Sequence, residues 1–104
     1  MLRIYWVALD VVRLLVPVIA KIKQRDANLA DHIDRSSTAV VLLIAEGGGL
    51  SGGNRRLAYQ RALGEMREVR GGLDAAEAKK IVKVSAELSA KIEHVTAVLV
   101  KLTR

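Results

Sequence analysis

Basic side chains carry most of the chemistry this sequence could perform. Lys21, Lys23 and Arg25 form one group; Arg55 and Arg56 form a second, followed by Arg61, Arg67 and Arg70. Lys79, Lys80 and Lys83 make a third, with Lys101 and Arg104 at the end of the chain. Clustered ammonium and guanidinium groups neutralise phosphates and release their counterions, which suits a nucleic-acid backbone. The same groups also suit a solvated exterior that keeps an apolar protein in solution. The formal net charge of +6 makes nucleic acid or an anionic membrane surface the partner class to consider, although the residues alone favour the solvated exterior. Lys21, Lys23, Arg25, Arg55, Arg56 and Arg61 are the candidate phosphate contacts. Tyr5, Trp6 and Tyr59 are the only aromatic residues, too few for a base-stacking platform. Recognition of structured RNA by shape and phosphate is the expected mode, without sequence-specific readout.

Catalytic patterns are missing. His32 and His94 are the only histidines and lie far apart in sequence, no Glu-x-x-His pair exists, and there is no cysteine. A di-iron bundle site and a thiolate metal site are thus not expected. Glu46, Glu65 and Glu68 could meet inside a bundle, but carboxylates without histidine make a poor transition-metal site; Glu68 is instead expected to pair with Arg67, Arg61 or Arg35. Gly47-x-Gly49-x-x-Gly52 has the dinucleotide-binding spacing. That motif works after a strand, where it aims a helix at a pyrophosphate, and here it follows a helical segment. No nucleophile–base pair can be named. The expectation is a non-enzymatic protein with no metal, no cofactor and no small-molecule substrate.

The elements that must present these residues read as helices. Of 104 residues, 51% are hydrophobic, only one is proline, and glycines are clustered. Turn residues at the 8–12-residue spacing of a sheet protein are absent. One domain is expected at this length. Ala58, Ala62, Met66, Val69, Leu73 and Ala76 recur at helical spacing, as do Val84, Leu88, Ile92, Val95, Leu99 and Leu102. Helices are expected over about 2–24, 27–46, 54–79 and 84–103. Pro17 falls inside the first and should disturb it. The glycine-rich run Gly47–Gly53 ends the second, where a left-handed glycine would close the helix, and Asn54 is a candidate N-cap for the third. For the last turn, Gly71-Gly72 is the obvious breaker, with Asp74 and Glu77 spaced as a capping box. Matched helix lengths favour a turn near Lys80–Val84 instead, capped by Ser85. An up-and-down four-helix bundle of all-α class follows.

The apolar content exceeds what one such bundle needs. About three positions in seven suffice for each helix. Ile4–Ala20 is interrupted only by Asp10, Arg13 and Pro17, and Ala39–Ala45 is apolar without a break, so that stretch should be buried on all sides. A membrane span is disfavoured, because a central Asp or Arg costs about 2.5–3.5 kcal/mol, and Asp10 and Arg13 can pair at i,i+3. Lys21 and Lys23 stand where a signal peptide would need a cleavage site. Self-assembly is the commonest cover for such a surplus, with Trp6, Val40, Val41 and Leu43 as candidate interface residues; an overpacked core is the alternative. The lack of cysteine fits the reducing cytoplasm.

Leu29 to Leu73 resembles the bacterial four-helix bundle proteins encoded in 23S rRNA intervening sequences, a family that includes accessory proteins of diversity-generating retroelements. Ile44-Ala45-Glu46-Gly47 with its glycine-rich loop, and Tyr59-x-x-Ala62-Leu63-Gly64-x-x-Arg67-Glu68-Val69, carry the resemblance. Arg25-Asp26-x-x-Leu29-Ala30 and Leu102-Thr103-Arg104 are similar as well. This sequence has Ala39, Leu43 and Glu65 where the resembled pattern has Ser, Asn and Ser. The resemblance implies a four-helix protomer assembled as a ring-like homo-oligomer, usually a homopentamer. It also implies a basic RNA-binding role beside a reverse transcriptase.

Overall fold

The computed structural model describes residues 2–104. It is all-helical, with four helices and no strand among the described residues: α1 (Arg3–Lys23), α2 (Ala27–Gly48), α3 (Gly52–Ala78) and α4 (Ala86–Leu102). The connections Gln24–Asp26 and Gly49–Ser51 are so short that each reverses the chain onto its neighbour. Every helix packs against the next in sequence, and α4 closes the ring onto α1. The bundle measures 42 × 24 × 20 Å, and α3, at about 1.5 Å per residue, spans its length. No helix among the described residues is long and apolar enough to cross a membrane.

Local chemistry sets the helix ends. The Asp26 carboxylate accepts from the Leu29 N–H at 3.0 Å and starts α2. Ser85 Oγ does the same for α4, accepting from Leu88 N–H at 3.1 Å. The last turn therefore lies at Lys79–Ser85, and Gly71 and Gly72 sit inside α3. Glu77 caps no helix; its carboxylate takes the Val84 N–H in that turn. Asn54 also proves to be interior, since α3 begins at Gly52 after Ser51. The expected left-handed glycine at the end of α2 is not there. Gly49 has φ −93° and returns its N–H to Glu46 and Gly47 carbonyls. Left-handed backbone occurs instead at Gly52, φ 57°, where α3 begins, and at Lys80, φ 60°. The Lys80 N–H reaches Glu77 O at 2.9 Å while Ile81 N–H reaches Ala76 O at 2.9 Å, a Schellman closure of α3 built on lysine.

The core follows the helical stripes. Ala58, Ala62, Met66, Val69, Leu73 and Ala76 of α3 are all buried, as are Leu88, Ile92, Val95 and Leu99 of α4. Leu102 is half-exposed at the end of the last helix. Two glycines let α2 and α3 approach closely. A Cβ on Gly72 would lie 2.6 Å from Ile33 Cγ1, and one on Gly47 would meet the Tyr59 ring. Both motifs that carry the family resemblance thus touch at Gly47 and Tyr59.

The apolar run of α2 is not buried on all sides within the protomer: Leu42 is 63% exposed. Val40 and Leu43 are the reverse case. Both face this bundle's own core and offer little surface to a neighbour, whereas Val41 is half-buried and Trp6 exposed. On α1, Trp6, Val16, Pro17 and Ala20 lie on the outward side, leaving that face largely apolar. Arg13, the cation among them, is held by Asp10 at 2.8 Å.

Candidate nucleic-acid interface

Contacts between helices fix the level of each charged residue along the bundle. Arg56 and Thr103 (2.9 Å) and Arg70 and Ser89 (3.4 Å) set α3 against α4. Lys91 and Asp10 (3.4 Å) set α4 against α1 near mid-height, and Lys79 and Asp26 (2.9 Å) close one end. By these levels the candidate phosphate contacts do not form one surface. Lys21, Lys23 and Arg25 stand at the end that carries the α1–α2 and α3–α4 turns; Arg55, Arg56 and Arg61 stand at the opposite end, beside the glycine loop.

Charge separates along the same axis. At the turn end Lys21, Lys23, Arg25, Lys79, Lys80 and Lys83 face only two carboxylates, Asp26 and Glu77. At the glycine end Arg3, Arg55, Arg56, Arg61, Lys101 and Arg104 face only Glu46. The belt between them holds eight carboxylates against five cations. Ion pairing follows this division. Arg13–Asp10, Arg70–Asp74 and Lys91–Asp10 are all in the belt, while among the described residues the twelve end cations form a single pair, Lys79 with Asp26. The ammonium of Lys79 and the Leu29 N–H together hold the Asp26 carboxyl below its ordinary range.

Two candidates have structural duties as well. Arg55 donates from Nε to Leu50 O at 2.8 Å and to Gly47 O at 3.3 Å, tying the start of α3 to the end of α2 and the loop that follows it. Arg56 donates from Nε and Nη2 to Thr103 O, at 3.1 and 2.9 Å, and so holds the end of α4. Their guanidinium charges remain exposed. Arg3, Lys101 and Arg104 join them, a grouping that becomes visible once antiparallel helices bring both chain ends to the glycine loop.

Between α2 and α3 runs an open groove of about 570 Å³ lined by Ala39, Leu42, Leu43, Arg61, Gly64, Glu65 and Glu68. The three positions at which the sequence departs from the resembled pattern, Ala39, Leu43 and Glu65, all line it. Glu68 forms no ion pair with the expected arginines, although Arg61 and Arg35 line the same clefts; the half-exposed His32 imidazole lies 3.9 Å from its carboxylate. Lys91 turns to Asp10 on the neighbouring helix α1 rather than to Glu87, four residues before it on its own helix. Among the described residues no group of three or more His, Asp or Glu side chains could hold a metal ion. Set against family models, curated proteins and solved structures, the chain matches none of them.

Proposed function

We propose that this chain is a non-enzymatic, self-assembling helical bundle that binds structured RNA through its basic ends. The observation that carries the reading is the distribution of charge. Eight of the eleven carboxylates lie in the belt, so both ends present clustered cations to solvent with few acids beside them. A solubilising exterior needs charge of both signs interspersed; segregation of one sign to two ends concentrates potential there. The resemblance in the glycine-loop and Tyr59 motifs supports an RNA partner and extends the reading to a place beside a reverse transcriptase. It also supports a five-fold ring in a reducing cytoplasm, to which the outward apolar face of α1 would contribute Trp6 and Val16.

Arg55 and Arg56 are poor probes, because their loss would open helix ends. Lys21→Glu/Lys23→Glu/Arg25→Glu is cleaner: these side chains are exposed and make no ion pair among the described residues. That triple variant, combined with Arg61→Glu/Lys101→Glu/Arg104→Glu at the other end, should bind a structured RNA hairpin at least ~10-fold more weakly at moderate salt, as expected for the loss of several phosphate contacts, with its assembly mass by light scattering unchanged. Unchanged affinity would contradict the reading. A second reading, assembly without an RNA role, is favoured by the exposed Trp6, Val16 and Leu42. A well-behaved oligomer that binds no RNA at low salt would leave that one standing.

A further inference from the structure

Resting on the RNA reading, we infer that one protomer carries two independent phosphate-binding ends and bridges two separate RNA segments. The levels of Arg61 and Glu77 on α3 bound the belt, and the intervening turns span about 24 Å at 1.5 Å per residue. That is three times the Debye length of ~8 Å at physiological salt, so the ends act on phosphates independently. A single duplex laid along the long axis would have to cross the belt, where eight carboxylates outnumber five cations. Its phosphates, one charge per ~1.7 Å of a duplex of the DNA kind, would be repelled there. An RNA segment held at one end therefore leaves the other end open to a different segment. Two weak contacts joined through a rigid spacer hold two RNAs near one another, at an effective concentration neither contact provides alone. The role this implies is to bring RNA elements together or anneal them, rather than to coat one strand.

The test is co-capture. One RNA hairpin is immobilised, limiting protein is added, and capture of a second, labelled hairpin is read. Binding to a single hairpin is measured in parallel by fluorescence anisotropy. The wild type should capture the second hairpin. Lys21→Glu/Lys23→Glu/Arg25→Glu at the turn end should halve the number of hairpins bound per protomer, leave the glycine end to bind the remaining one, and lose co-capture at least ~10-fold, an effect on the scale of several lost phosphate contacts. Arg61→Glu/Lys101→Glu/Arg104→Glu at the glycine end should do the same. Thermal melts check that each variant folds, and the matching Gln variants repeat the comparison without charge reversal. Co-capture that survives the loss of either end would overturn the inference, because bridging would then come from several copies of one end. A wild type that binds one hairpin and never captures a second would overturn it while leaving RNA binding intact. A wild type that binds no hairpin would remove the RNA reading and this inference together. Clustering of phosphatidylserine vesicles with hairpins left unbridged would overturn it in favour of a lipid surface.

Discussion

Lys80 shows how much one residue's backbone contributes. A lysine at φ 60° carries a steric cost of about 1 kcal/mol that glycine avoids. Lys80→Gly should raise Tm by about 4–8 °C in a domain near this size, read in a thermal melt; an unchanged or lower Tm would mean the lysine side chain compensates. Asp26 acts at the same scale through its proton. Lys79 and the Leu29 N–H depress its pKa, so its contribution to stability is full above the ordinary carboxylate pKa, about 3.9. That contribution is lost as pH falls through the lower folded value. Asn can still cap α2 but cannot pair with Lys79. The stability gap between wild type and Asp26→Asn should therefore be constant near neutral pH and shrink below about pH 4, measured by denaturant titration across pH. A gap independent of pH would contradict this.

Helix α3 sets two adjacent glycines in opposite surroundings. Gly71 faces open space, while a Cβ on Gly72 would drive into Ile33, a fully buried side chain. Gly71→Ala should stabilise by up to about 1 kcal/mol through helix propensity. Gly72→Ala should destabilise by about 1–3 kcal/mol through overpacking. Chemical denaturation of the pair decides; the same sign for both would show that α2 can move away from α3. Spacing alone placed the buried stripe of α3 and the Leu88–Leu99 part of that of α4, because burial on one face repeats with the helix; Val84 falls in the turn before α4 and Leu102 at its exposed end. The last turn was legible too, through Ser85 and the demand for matched lengths. Helix closures were less so. Glycine marks a left-handed end only by tendency, and here a guanidinium, Arg55, covers the end of α2 while lysine takes the left-handed place after α3. The all-round burial expected of Ala39–Ala45 is not met within one protomer for a related reason: an apolar run is consistent with burial but does not say which chain supplies the cover. Leu42 remains exposed within the protomer, and Val40 and Leu43 do not.

Across the whole molecule, the basic residues legible in the sequence as one list become two opposed ends. Adjacency along the chain hides this, since antiparallel packing joins Arg3, Arg61 and Lys101 from three different helices at one end. Ion pairing was the least legible feature. Lys91 passes over Glu87 on its own helix for Asp10 on α1, and Glu68 faces His32, choices that depend on how helices face one another. The central claim is that exposed end cations bind RNA by neutralising phosphates, and a salt titration of affinity for a structured RNA hairpin tests it most directly. If about four phosphates are engaged, log affinity should fall linearly with log salt at a slope near −3.6, about a hundredfold loss between ~50 and ~200 mM. A slope near zero, or no binding even at the lowest salt, would contradict the account.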